Sequence, residues 1–179
     1  MPEYRHDACP TSPAVRHGNH STDRNGRRSE MSEMQRVTID PAFEVSVPAG
    51  WTAEADEEGG INLASDPGVG LLHLLAFAQE PDELLDPGEE LYIFLEDQGV
   101  ELEEDEIEDI ELPGGADLAL CEYSSEEEDD EDTEGETYWM VAVAAAPGNL
   151  VFCNYSCPAA EADVERSAVL DILKTLRLR

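Results

Sequence analysis

Cations are what this sequence lacks most. Lysine occurs once, at Lys174, and Lys and Arg together number 10 against 43 Asp and Glu, for a formal net charge of −33. Residues 1–30 hold five of the arginines and only four acids, so the rest of the chain sets 5 cations against 39 acids. A surface of that sign repels nucleic-acid phosphate and anionic lipid heads, which excludes direct DNA, RNA and membrane-surface binding and leaves basic partners and cations. Long apolar runs are also missing. Nothing approaches the roughly 20 residues of a transmembrane helix, and the N-terminus has no apolar core of a secretory signal. The expected compartment is the cytoplasm. Aromatics make up 6% of the chain, yet 41% of it is hydrophobic, enough for a globular domain at 179 residues. A domain of this size buries roughly 70% of its unfolded surface and needs no disulfide staple.

Histidine and cysteine are sparse as well. Of four histidines, three (His6, His17, His20) lie in the first 20 residues, leaving His73 for the body of the chain. Cys121, Cys153 and Cys157 sit on expected strands, and Cys9 lies near the start. A zinc site would need a fourth ligand that only His73 could supply from within an apolar strand, so no metal site is assigned. The thiols read as small buried groups in a reducing compartment; a pairing of Cys153 with Cys157, or with Cys121, is the alternative.

The clearest structural signal is Thr137 to Cys157. Two runs rich in β-branched, aromatic and small residues, Tyr138–Ala145 and Leu150–Tyr155, flank Ala146-Pro147-Gly148-Asn149. Pro fixes φ and Gly supplies positive φ, so the segment reads as an antiparallel hairpin in the middle of a sheet. Upstream, residues 1–36 have no periodicity and read as a disordered tail. Met31 and Met34 stand where the composition changes, and translation starting there is the alternative. The domain occupies 37–179.

That domain opens with Val37–Val47, where Phe43, Val45 and Val47 alternate with polar residues as in a half-buried strand. Pro48-Ala-Gly-Trp51 turns the chain and supplies Trp51 as a core plug. Ile61 and Leu63 mark a short strand. Leu71–Ala78 is apolar on both faces, as for a central strand covered on both sides, with His73 as a core histidine holding a hydrogen bond. Asp86-Pro-Gly-Glu89 is a helix start, and the helix runs to about Gln98 with Gly99 as its cap and Leu91, Phe94 and Leu95 buried. Val100–Leu112 reads as an acidic strand near a sheet edge, where charge blocks edge-to-edge pairing. Ala116–Tyr123 alternates as another strand. The last helix runs from Pro158 to about Lys174, with Val164, Ala168, Ile172, Leu173 and Leu176 as its apolar stripe.

One segment stands out chemically. Glu126, Glu127, Glu128, Asp129, Asp130, Glu131, Asp132, Glu134 and Glu136 place nine acids in eleven residues between two strands. Asp130, Asp132, Glu134 and Gly135 match the first half of a calcium loop. The match fails where Val141 replaces the twelfth-position Glu, and the flanks are strands rather than helices. A solvated hairpin loop that draws in a basic partner is the expected role. Serine nucleophile elbows, HExxH and phosphate-binding loops are absent, so no catalytic residue, cofactor or enzymatic activity is assigned.

The phrases Phe43–Trp51 (FEVSVPAGW), Leu112–Gly115, Thr137–Val141, Leu150–Pro158 and Ile172–Leu178, in this order, resemble the PsbP/DcrB-like superfamily over roughly residues 37–178. The resemblance implies an α+β fold, an α/β/α sandwich around a largely antiparallel central sheet. It also implies binding and assembly roles, since that superfamily includes photosystem extrinsic subunits, lipoproteins, a Ran-binding import factor and chaperones of type VI secretion effectors. The expected function is therefore a non-enzymatic protein-binding domain (chaperone, adaptor or immunity-like protein) for an unidentified partner that is basic or partly apolar. The alternative is an acid-rich, salt-adapted domain that binds a small ligand or divalent cations.

Overall fold

A computed structural model describes residues 34–39, 41–57, 59–80, 85–102, 106–126 and 135–179. The fold is α+β, built on a large antiparallel sheet with a helix on each side.

Strands β1 (Met34–Ile39) and β2 (Phe43–Pro48) form an antiparallel pair, and β10 (Arg177–Leu178) joins the other side of β2. Sequence alternation suggested one strand over Val37–Val47. The chain instead turns at Pro41 and Ala42 and doubles back, which places Val37, Ile39, Phe43, Val45 and Val47 on one buried face. Two short strands with the same alternation look like one when a single turn separates them.

The large sheet has the order β3 (Trp51–Ala55), β4 (Ile61–Ser65), β5 (Leu71–Ala78), β9 (Asn149–Pro158), β8 (Glu136–Ala146), β7 (Asp117–Glu126), β6 (Glu108–Glu111), and every pairing is antiparallel. The predicted hairpin is β8–β9, closed at Pro147-Gly148, where Gly148 takes φ +83°. That left-handed conformation suits glycine. The acidic stretch Val100–Leu112 contributes only the four residues of β6, and these do sit at the sheet edge.

Helix α1 (Pro87–Asp97) starts as expected: the Asp86 carboxylate accepts from the Gly88 and Glu89 N–H groups at 2.9 and 3.1 Å. Its Leu91 and Leu95 cover Ala119, Cys121, Val141 and Val143 on one face of the sheet. The opposite face packs against the small sheet and helix α2 (Ala162–Leu173), which follows a 3-10 turn at Ala159–Glu161. In α2 the buried row is Glu165, Val169, Ile172 and Leu173, continued by Leu176, while Val164 is 67% exposed. The stripe read from sequence is therefore one residue off at its start. Positions 165, 169, 172, 173 and 176 follow helical spacing more closely, but they put a glutamate in the core.

Candidate interaction surface

The two faces of the large sheet are unequally covered. On the α2 side, Leu63, Leu72, Leu74, Met140, Ala142, Val151 and Tyr155 are fully buried, and Trp51 joins the same cluster as the expected plug. On the α1 side, the helix shields β7 and β8 but stops short of β5. Leu71 and Phe77 remain 44% and 42% exposed, and Tyr92 and Ile93 of α1 are exposed too. β5 is thus interior to the sheet but not covered on both sides. Phe152 bridges the covered and open parts, edge-on to Phe77 at 5.7 Å and tilted against Phe94 at 5.3 Å.

Register fixes which side chains meet on this open face. One cross-strand row runs Leu71, Ser156, Trp139, Tyr123 over β5, β9, β8 and β7. Tyr123 stacks on Trp139 with centroids 6.5 Å apart and planes 20° from parallel, and the Trp139 Nε1–H donates to Ser125 Oγ at 3.0 Å. Beyond Trp139 a groove of about 400 Å³ opens, lined by Val69, Gly70, Leu71, Glu136, Trp139 and Ser156 among others. Gly70 is required beside it: a Cβ there would come within 2.5 Å of the Tyr155 ring.

β7 and β8 reach this end of the sheet at Glu126 and Glu136, which bound the acidic segment. Glu126 and Glu136 are direct cross-strand partners at the outer ends of β7 and β8, with Ser125 opposite Thr137 just inside. Like charges placed directly opposite each other destabilise a strand pair. Glu127, Glu128, Asp129, Asp130, Glu131, Asp132 and Glu134 lie outside the described residues. Among the described residues no cation is paired with Glu126 or Glu136; the ion pairs join Arg166 to Glu122, Arg179 to Glu44, and His73 to Asp56. Hydrogen bonding to Arg179, with Arg36 and Arg177 nearby, holds the Glu44 carboxyl below its ordinary range. The cations around Glu44 thus gather at the small sheet, away from the acidic hairpin.

Two further carboxylates act as joints. Glu165 is only 5% exposed. It accepts from Ser65 Oγ on one oxygen, and from the Gly70 N–H and the Tyr155 hydroxyl, each at 3.0 Å, on the other. That ties α2 to the β4–β5 loop and to β9. Burial, reinforced by hydrogen bonding to Cys157 and Glu165, raises the Tyr155 phenol well above its usual range. Glu122 on β7 takes both prongs of the Arg166 guanidinium, the Nη2 contact at 2.6 Å, and the Tyr138 hydroxyl. Burial pushes its carboxyl upward, but the Arg166 and Tyr138 hydrogen bonds outweigh this and hold it below the ordinary value.

Sequence reasoning did not find either joint. The apolar stripe read from sequence starts at Val164, although the spacing of Glu165, four from Val169 and seven from Ile172, is a signal that it faces inward. Nothing local pairs Glu122 with Arg166, which are 44 residues apart.

His73 keeps a polar partner, as expected, but at the surface of the open face rather than in the core. Its Nε2 meets Asp56, whose other oxygen accepts from the Gly60 N–H at 2.7 Å. Its cross-strand neighbour is Asn154, then Val141, then Cys121 three strands away beneath α1. Cys153 points to the opposite face and belongs to the other cluster. Burial pushes the Cys121 and Cys153 thiols up to about 12. Cys121, Cys153 and Cys157 are free. A sheet separates Cys121 from Cys153, and four strand residues set Cys157 about 13 Å along from Cys153. Disulfide Cα atoms approach within about 7 Å, so the alternative pairings fail on geometry.

The architecture is that of a PsbP-like α+β domain, here with an acid-rich surface. No protein-family model matches the chain, and no curated protein does. Solved structures do match. The solution structure of cyanobacterial PsbP (CyanoP) from Synechocystis sp. PCC 6803 aligns over 87% of this chain and 98% of its own, with a TM-score of 0.58 and 14% identity. A crystal structure from Bacteroides thetaiotaomicron VPI-5482 aligns over 76% of this chain, with a TM-score of 0.56 and 16% identity. The match covers 45% of the Bacteroides protein, so this chain spans less than half of its length. At these identities the likeness establishes the fold.

Proposed function

We propose that the domain is a non-catalytic protein-binding module, a chaperone, adaptor or immunity-like protein, whose partner is basic and partly apolar. The carrying observation is the uncovered half of the α1-side face: Leu71 is exposed at the end where Glu126 and Glu136 stand, Phe77 at the other end beside the Gly148 turn, and Tyr92 and Ile93 on α1. Exposed apolar side chains grouped on one face favour a binding role over a solvated one. The surrounding charge selects the sign of the partner and speeds its approach. The polar clusters are consistent with this: each carboxylate is tied to donors that hold elements together, and His73 has no cysteine beside it.

The test uses the full chain as bait in a native lysate, next to a Phe77→Ser/Ile93→Ser double variant, each at 50 and 300 mM salt. The expected result is a basic protein retained by the native chain at low salt, weakened at high salt and lost with the variant. Retention of the same protein by both baits would overturn the open face as the docking surface. Failure of both baits to retain a basic protein at low salt would overturn the reading as a whole.

A further inference from the structure

We propose that the groove between Leu71 and Trp139 is an arginine-binding subsite, which seats a guanidinium of the basic partner against the free face of the Trp139 indole. This deepens the reading above and rests on it. The construction of the row is the first reason. Leu71 and Trp139 stand on β5 and β8, two strand spacings apart, and Ser156 on β9 lies between them. Two spacings are about 10 Å. A serine at the middle position leaves a slot with an aliphatic wall, an aromatic wall and a small polar floor, whereas a large residue there would fill it.

The second reason is what the indole has left to offer. Tyr123 covers one of its faces, and Ser125 takes its N–H. The groove is lined by Trp139, Ser156 and Leu71 but not by Tyr123, so it lies on the uncovered side of the ring. An indole face without its N–H attracts cations through the ring quadrupole and has no hydrogen bond for a neutral polar group. The third reason is the rim. Glu136 contributes to the groove's lining at the strand end and stands directly opposite Glu126; both alternate toward the α2 face, so their charge acts on the groove across the end of the sheet. A cation near two facing carboxylates relieves a repulsion that the strand pair otherwise bears. An anion is excluded by the same pair.

Arginine fits better than lysine. Its guanidinium is planar, weakly hydrated and able to stack on a ring while its edge donates to oxygens at the strand end; an ammonium does only part of this. The other polar clusters offer no comparable site, because the oxygens of Glu165 and Glu122 are already engaged.

The test follows the two indole N–H resonances of the isotopically labelled full chain at 150 mM NaCl as a peptide is added. The probes are Arg-Gly-Arg-Gly-Arg and Lys-Gly-Lys-Gly-Lys, and a Trp139→Phe variant assigns the signals. The expected result is a saturable shift of Trp139 with Trp51 unmoved, and binding of the arginine peptide at least about threefold tighter than the lysine peptide. Ser156→Leu, which fills the floor, and Glu136→Gln, which alters only an exposed rim residue, should each weaken binding by about fivefold or more. Equal affinity for the two peptides overturns the arginine assignment. Shifts confined to the acidic hairpin, with Trp139 still, overturn the groove but leave a basic partner intact. Absence of binding by either peptide at 20 mM NaCl removes the electrostatic basis of both readings.

Discussion

The two faces of the seven-stranded sheet are made from the same strands yet follow different rules. On the α2 side, residues of six strands meet the small sheet and α2, and their buried apolar side chains form one cluster from Val37 to Leu176. The one buried carboxylate there among the described residues, Glu165, is matched by three donors. On the α1 side, an eleven-residue helix covers two strands and leaves the rest in contact with water. An apolar pattern in the sequence reports only that a side chain is apolar. Whether it is covered depends on the length and placement of an element elsewhere in the chain. Leu71–Ala78 shows this, since its alternate residues divide between a sealed face and an open one.

The sealed face should therefore be the fragile one, and its buried carboxylate the most sensitive point. Glu165→Ala strands a hydroxyl, a phenol and a backbone N–H without their acceptor. A few buried unsatisfied donors at 1–3 kcal/mol each give a loss of about 3–5 kcal/mol. Urea midpoints would measure it. A loss under about 1 kcal/mol would mean that water reaches the site and the joint is not needed.

Next in size is a pair of substitutions that sets one face against the other on a single strand. Leu74→Ala, on the sealed side, should cost about 2–5 kcal/mol. Phe77→Ser, three residues on and half exposed, should cost about 1 kcal/mol or less. Equal losses would show that the open face is structurally as critical as the sealed one, which would remove the basis for treating it as a docking surface.

How much of this was legible beforehand depended on whether the cause was local. The cap at Asp86, the turn at Pro147-Gly148 and the alternation of Phe43, Val45 and Val47 are set by neighbouring residues, and each took its expected form. The division of Val37–Val47 into two strands was hidden, because alternation continues across the turn. The inward position of Glu165 was half-visible: helical spacing pointed to it, but a glutamate is rarely buried unless paired, and its three partners lie 10 to 100 residues away. The groove was invisible for the same reason. Leu71, Ser156, Trp139 and Tyr123 become neighbours only once the strand order β5-β9-β8-β7 is known.

The pairing of Glu122 with Arg166 links β7 to α2 at the surface, and acid should reveal it. The Glu122 carboxyl is depressed in the folded state, so its stabilising contribution is full above its unfolded value of about 4.3 and is lost as pH falls through the lower folded value. Arg166 is partly exposed, which limits the effect to about 1–2 kcal/mol. Glu122→Gln should thus be less stable than the native chain at pH 7 and converge with it in strong acid. Taking the difference between the two proteins matters, because protonating the many other acids relieves self-repulsion in both. A constant difference from pH 7 to pH 2 would show that shape rather than charge makes the joint.

The smallest expected effect is kinetic and compares two thiols on opposite sides of the sheet. Burial raises both Cys121 and Cys153, to about 12, so at pH 8 both are held almost wholly as thiols. Neither should be alkylated from the closed native state on a timescale of minutes. Their routes to exposure differ. Cys121 lies under α1, a single helix docked on a few side chains, and undocking of that helix uncovers it without breaking the large core. Cys153 belongs to the core shared by both sheets and α2, which opens only on global unfolding. Partial openings cost less than global ones, so Cys121 should label faster than Cys153, by about tenfold or more in native buffer. Peptide mass analysis after timed exposure to iodoacetamide would give both rates in one experiment. Equal rates would show that α1 and the sealed core open together, as one cooperative unit, and that the open face is mechanically as secure as the closed one.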